Sequence, residues 1–211
     1  MSKKIADFWP FPYQLRTNQI KAFEWLEEQT DKADHLILEA PVGAGKSNIA
    51  ITYSLWLRDK LLNEHADIDL TKGISYVLTP QRILQEQYTN SFKQYPQTGL
   101  ASLYGKANYT CVDKSTDCEL GSLVKPTCQS CPAKKALIAA KTATNTVMNY
   151  KLALIHFACN NVFAKRPLIV MDECHNLEQL LIDFDALVIS EYRCKKYDIE
   201  FKQFNTIIAA I

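Results

Sequence analysis

EAPVGAGKS, residues Glu39–Ser47, follows directly on the run His35–Leu38, and a glycine-bearing loop ending in Lys-Ser at that place is what a nucleoside triphosphate site requires. Gly43 and Gly45 let the backbone turn tightly and present amide hydrogens to phosphates, as Ala44 between them also does. The helix expected to open near Lys46 adds its positive end. Lys46 is placed to meet the terminal phosphates and Ser47 to ligate magnesium through its hydroxyl, while His35–Leu38 is read as the buried strand feeding the loop. The general pattern GxxxxGK[ST] begins with Gly, and this chain has Ala40 there.

Hydrolysis needs a second site, and Leu168–Asn176, LIVMDECHN, supplies a candidate. An apolar strand runs into two adjacent carboxylates. Asp172 at such a strand end can hold magnesium through water, and Glu173 can orient or deprotonate the attacking water. Unpaired buried carboxylates are strongly disfavoured, which makes a cation the economical explanation of the pair. Read alone, it could also be a surface Asp-Glu pair capping the next helix.

Seven cysteines are present, and Cys111, Cys118, Cys128 and Cys131 fall in one short segment between the two nucleotide motifs with spacing C-x6-C-x9-C-x2-C. Four thiolates on a loop-rich segment suit a [4Fe-4S] cluster or a tetrahedral zinc, and spacing does not separate the two. Cys159, Cys174 and Cys194 read as ordinary packing residues. From Gly105 to Lys141 six lysines (106, 114, 125, 134, 135 and 141) stand against Asp113, Asp117 and Glu119, a local excess that suits phosphate. Tyr104 and Tyr109 beside it could stack on unpaired bases, although a lysine-bearing loop is more often simply solvated.

Composition bounds these readings. With 211 residues, 47% of them hydrophobic, the chain can bury one good core, and its formal charge of +1 confines any nucleic-acid site to a local patch. No apolar run approaches the roughly 20 residues that span a bilayer, and the N-terminus lacks an apolar signal core, so a cytoplasmic protein with no membrane partner is expected. Periodicity predicts helices near Gln14–Gln29, Lys46–Asn63, Arg82–Gln94, Ala133–Thr142 and Asn149–Cys159, with a short one after His175. Strands are predicted near Leu36–Glu39, Ile74–Thr79, Thr146–Met148 and Leu168–Asp172. The alternation implies an α/β fold, a parallel sheet with helices on both faces and ligands at the carboxyl ends of the strands, with the cysteine segment inserted at one edge.

Ala40 in the phosphate loop and DECH at Asp172–His175 together resemble a superfamily 2 helicase of the DEAD/DEAH type. The intervening residues resemble the iron-sulfur helicases of the XPD and DinG kind, whose phosphate loop usually reads EAPTGTGKT. PFPYQLRTNQIKAF at Pro10–Phe23 is similar to that family's entry segment, which implies adenine contacts for Arg16 and Gln19. YVLTPQRILQEQY at Tyr76–Tyr88 resembles the motif that touches the DNA backbone, which implies that role for Thr79, Gln81 and Arg82. LYGKANYTC at Leu103–Cys111 looks like the GRxNYxC signature with Lys106 for Arg, and TVMNYKLAL at Thr146–Leu154 matches the Asn-Tyr helix start. DNA contacts for Lys106, Tyr109 and Asn149 follow by resemblance.

The resemblance implies a P-loop NTPase (RecA-like) lobe with ATP and Mg²⁺ as cofactors and a [4Fe-4S] cluster on the four cysteines. It further implies translocation on single-stranded or forked DNA, 5' to 3', in a setting such as DNA repair. The corresponding organisation is 1–104 as the first part of the lobe, 105–142 as the cluster insertion, 143–190 as the remainder with the DECH box, and 191–211 as the start of an arch or a terminal extension. A second RecA-like lobe, which would supply an arginine worth roughly 10³ to 10⁵ in rate, is expected in trans or to be missing by truncation, leaving the isolated chain weakly active or inactive. Two other readings are a stand-alone nucleotide-binding module without unwinding activity, and a zinc-bearing nucleic-acid adaptor.

Overall fold

The computed structural model describes residues 3–65, 68–112, 116–124, 130–160 and 162–185. Two compact units are distinguished, Met1–Asn176 and Leu177–Ile211. The first contains a four-stranded, all-parallel sheet of order β2-β3-β1-β4, with β1 at Ser75–Thr79, β2 at Leu100–Ser102, β3 at Asn145–Asn149 and β4 at Leu168–Met171. Around it lie α1 (Thr17–Gln29), α2 (Lys46–Glu64), α3 (Arg82–Phe92), α4 (Cys118–Val124), α5 (Pro132–Thr142) and α6 (Tyr150–Leu154); α7 (Leu177–Asp185) belongs to the second unit.

Both faces of the sheet are covered at β1, as a parallel strand demands, and this is why SYVLT is an uninterrupted buried run, whereas at β4 Ile169 and Met171 are exposed. Strand side chains alternate, and Val77, Val147 and Val170 therefore share one face, where they pack with Ile51 of α2 and with Tyr88 and Phe92 of α3. Tyr76 and Thr146 point the other way. Tyr76 stacks near Phe157 and Phe163, and the Thr146 hydroxyl donates to the Ala140 carbonyl of α5. A second apolar group, with Phe23 and Leu26 of α1 and Tyr53, Trp56 and Leu57 of α2, closes the core near Ile74.

Two polar ties set the strands' register. Asn145 accepts hydrogen bonds from the Ser54 and Ser75 hydroxyls and donates to the Thr98 carbonyl, so a fully buried amide joins α2, β1, β3 and the turn before β2. The Arg166 guanidinium lies 4.3 Å from the Tyr76 ring centre and donates to the carbonyls of Ser75 and Ala140 and to the Thr146 hydroxyl, fastening the approach to β4 onto β1, β3 and the end of α5.

Most predicted elements stand where periodicity put them, within a few residues. The predicted strand Leu36–Glu39 does not. Its residues pair with no strand, and Ile37 and Leu38 are exposed, Ile37 by 80%, with Leu36 alone packing on the core. A run of three apolar residues does not by itself choose between ladder and water, because its backbone groups are satisfied by either and side-chain packing decides. The predicted helix Asn149–Cys159 begins at Tyr150 and widens into a π-helix over Ile155–Asn160. The edge strand β2, only three residues long, and the short α4 carry too little periodicity to be read in advance.

Candidate functional site

The phosphate loop turns between Pro41, whose carbonyl accepts from the Ala44 amide, and Gly45, the residue before α2. Gly43 and Gly45 have φ of +80° and +82°, a left-handed backbone that side chains disfavour. At Gly45 there is a second reason: a Cβ there would lie 2.5 Å from Gln19 Nε2. Helix α2 then starts at Lys46, so its free amides and positive end face the loop.

Arg16 and Gln19, at the start of α1, brace this loop from behind. Arg16 Nη1 donates to the Gly43 carbonyl at 2.8 Å, and Gln19 Nε2 donates to the Ala44 carbonyl at 3.2 Å while its Oε1 accepts from the Arg16 amide at 3.0 Å. Gln19 is buried and its amide is spent on the protein in this state, whereas Arg16 remains exposed. Ala40 sits half-buried at the loop entrance.

Parallel pairing of β1 with β4 carries the acid motif to the same end of the sheet. The Asp172 amide donates to the Leu78 carbonyl, and the Tyr150 hydroxyl donates to the Asp172 carbonyl at 3.0 Å. Lys46 Nζ reaches Glu173 Oε1 at 3.1 Å, joining positions 127 apart in sequence. Glu173 has φ of +53°, a strained backbone for a non-glycine residue, and its Oε2 lies 3.4 Å from His175 Nδ1. Burial raises the Asp172 carboxyl above its ordinary value, Glu173 adds to the shift, and the nearby Lys46 charge opposes it. Tyr88, Ser47 and Asp172 lie close enough to influence one another's protonation, so one hydroxyl and one carboxylate stand near each other beside the loop. That donor set fits a hard divalent cation, which takes one or two carboxylates and completes its shell with phosphate oxygens and water.

The residues assigned to nucleic acid are distributed less simply. Thr79 is fully buried, its hydroxyl donating to the Gln81 carbonyl, and Asn149 caps α6 by accepting from the Leu152 amide at 2.8 Å. Gln81, Arg82 and Lys106 are exposed. Arg82 donates to Glu86 and Asn108 and lies 5.9 Å from the Tyr104 ring centre, tying the start of α3 to the turn that carries Lys106. Tyr109 is half-buried, its hydroxyl accepting from the Tyr104 amide.

Three of the four clustered cysteines are described and all are buried: Cys111, Cys118 and Cys131; Cys128 and Cys194 lie outside the described residues, as does the Cys159 side chain. Cys118 Sγ and Cys131 Sγ are 3.1 Å apart, and Cys111 packs so closely on Gly121 that a Cβ there would come within 2.7 Å of its sulfur. The hydrogen bond between the two sulfurs raises the Cys118 thiol and lowers Cys131, the latter helped by amides at the start of α5. About 3.8 Å separates sulfurs on a zinc tetrahedron with Zn–S near 2.3 Å, so this pair must part to share a metal. Among the described residues no three Cys, His, Asp or Glu side chains are grouped to hold a metal ion. No helix among them is long and apolar enough to cross a membrane.

Sequence reasoning missed Tyr150, whose hydroxyl holds the acid motif by donating to the Asp172 carbonyl. Its signal was present only as a tyrosine at a helix start otherwise read as apolar packing.

No curated protein matches the chain. The family model described as "Type III restriction enzyme, res subunit" (ResIII) matches residues 12–204. Since that match takes in the whole parallel sheet, both nucleotide motifs and the cysteine-bearing segment, the chain belongs to the ResIII family and carries the N-terminal lobe of a superfamily 2 helicase, an enzyme of the ATPase and helicase type.

Proposed function

We propose that this chain binds ATP with Mg²⁺ between the phosphate loop and the acid motif and, joined by a second RecA-like lobe, hydrolyses it to translocate on single-stranded DNA as an XPD/DinG-like helicase, 5' to 3'. The observation that carries the reading is the 3.1 Å contact between Lys46 and Glu173, which brings the two halves of a nucleotide-hydrolysing centre together at the carboxyl ends of β1 and β4.

When nucleotide enters, the Lys46 amine turns from Glu173 to the terminal phosphates. Backbone amides of Gly43, Ala44 and Gly45 and the start of α2 face the same phosphates. Ser47 and Asp172 would hold Mg²⁺, which when bound neutralises charge on the phosphate oxygens. Glu173, released from Lys46, orients the attacking water and accepts its proton. Arg16 and Gln19, which brace the loop in this state, would on this reading contact the base once nucleotide is bound; Gln81, Arg82, Lys106 and Tyr109 are the candidate nucleic-acid face, with Thr79 and Asn149 behind it.

Cys111, Cys118 and Cys131, together with Cys128, carry the donor chemistry that a thiolate-bound group such as a [4Fe-4S] cluster would use. Three buried thiols on one short segment support that finer reading, although Cys118 and Cys131 must part to share a metal, and no step of the nucleotide chemistry runs through it.

The experiment is ATP binding and hydrolysis by anaerobically purified protein, with and without single-stranded DNA, beside Lys46→Ala. Nucleotide binding that requires Lys46 is expected; ATP affinity unchanged in that variant sinks the site assignment.

A further inference from the structure

Cys118 opens α4 and Cys131 immediately precedes α5, and their sulfurs stand 3.1 Å apart with one thiol donating to the other. That is too close for two ligands on one tetrahedral metal, and it is only about 1 Å longer than a disulfide bond. The two residues pack with Ala133, and Tyr109 lies against all three.

Backbone contacts hold each partner in place. The Cys118 amide donates to the Tyr109 carbonyl at 2.7 Å, inside a turn closed by the Cys111 amide on the Thr116 carbonyl and by the antiparallel bridge between Thr110 and Asp117. The Asp117 carboxylate caps α4 by accepting from the amides of Glu119 and Leu120. On the other side, the Lys135 amide donates to the Cys131 carbonyl in the first turn of α5. A gap of about 1 Å between sulfurs is closed by rotating the side chains, so neither helix has to move. The Cys111 sulfur packs instead on Gly121.

We propose that Cys118 and Cys131 are a redox pair that closes to a reversible disulfide when the metal-free chain meets hydrogen peroxide. One thiolate attacks the peroxide; an S–O bond forms, the O–O bond breaks, and the departing hydroxide takes up the thiol's proton as water. The second thiol then attacks the sulfenic sulfur, the S–S bond forms, the S–O bond breaks, and a second water leaves. Two thiols and one peroxide thus give one disulfide and two waters, with two electrons passing from sulfur to oxygen. A small neutral oxidant suits residues only 4% and 8% exposed. The bond withdraws two of the four clustered thiolates from any metal, and this consequence alone rests on the reading of those cysteines as ligands.

The test takes the full chain, stripped of metal by chelator under reductant and desalted, through hydrogen peroxide, alkylation and digestion. Mass spectrometry is expected to find Cys118 and Cys131 joined, with two thiols fewer open to alkylation and both restored by dithiothreitol. Cys174→Ser should keep the bridge and Cys118→Ser should lose it. A bridge from Cys131 to Cys111 or Cys128 in the unaltered chain overturns the proposal, as does sulfinic acid on either residue with no bridge. Oxidation in urea should scramble the pairing, and an equal yield of the same bridge there would show that the fold does not select it. Zn²⁺ uptake separates the two readings. The reduced chain should take up Zn²⁺, and the bridged chain at least about tenfold less until it is reduced again. Undiminished uptake by the bridged chain removes Cys118 and Cys131 from the ligand set while the disulfide stands.

Discussion

Lys46 Nζ and Glu173 Oε1 are 3.1 Å apart, each side chain about one-third exposed, so the amine of the phosphate loop and the second acid of the DECH motif neutralise one another. A contact this open to water contributes little stability, and its significance is geometric. The loop arrives by the start of α2 and the acid by the end of β4, and only the finished sheet brings them within reach.

Lys46→Ala and Glu173→Gln should therefore part company. The first removes the phosphate-facing charge and should abolish ATP binding. The second keeps that charge and should bind ATP at least as well, while turnover in the presence of a second lobe falls by about 10² to 10⁴, the usual worth of a positioned base. Equilibrium binding and steady-state hydrolysis on both variants check this, and equal loss of binding in the two would contradict the roles given.

Asp172 makes a pH prediction for the metal-free protein. Its carboxyl is raised in the fold, first by burial and then by Glu173, so the folded state holds the proton more tightly than the unfolded chain does. Above the raised value the charged carboxylate therefore lowers stability. The penalty lifts as pH falls through that value and is gone below the ordinary carboxylate range. Asp172→Asn should melt higher than the unaltered chain at neutral pH in chelator, with the difference closing as the solution is acidified. A constant difference across that window would show that the shift is not the cause.

Arg82 is exposed and draws the start of α3 to the Lys106–Asn108 turn through Asn108. If this face meets the DNA backbone, Arg82→Ala should weaken single-stranded DNA binding to all sequences alike and reduce the slope of log affinity against log salt by about one. Binding isotherms at several salt concentrations decide it; an unchanged slope would place the contact elsewhere.

The thiol segment predicts metal content rather than activity. Cys118→Ser and Cys131→Ser should each lose most bound iron or zinc from anaerobically prepared protein, whereas Cys174→Ser, an exposed position in the acid motif, should retain it. Elemental analysis reads this directly, and equal metal in all three variants would remove the cluster from the account.

Asn145→Leu tests the buried polar tie. It leaves the Ser75 hydroxyl and the Thr98 carbonyl short of partners, while Ser54 keeps its bond to the Ile51 carbonyl, at about 1 to 3 kcal/mol for each buried group left unsatisfied. A melting midpoint lower by several degrees is expected, and a midpoint unchanged in the variant would mean water replaces the amide.

LIVMDECH was sufficient to place the acid motif at the end of a parallel strand and EAPVGAGKS to place a left-handed glycine turn before a helix, because glycine's access to positive φ and the cost of paired buried carboxylates are local constraints written in residue type, whereas the strand expected before the loop does not form. The amphipathic spacing of Thr17–Gln29 and Arg82–Phe92, and the glycine loop that opens Lys46–Glu64, likewise placed α1, α3 and α2 within a few residues of their observed ends. Leu36–Glu39 shows the limit: its letters suit a strand, yet whether it joins the ladder depends on packing with residues distant in sequence, which no short window contains. The same holds for Asn145. Its side-chain oxygen accepts from Ser54 and Ser75, 91 and 70 residues away in sequence, and hydrogen bonds of that reach exist only once α2, β1 and β3 are packed together. Local chemistry determined which residues could act on a triphosphate; the packing of α2 and α3 on one face of the sheet decided which of them stand together.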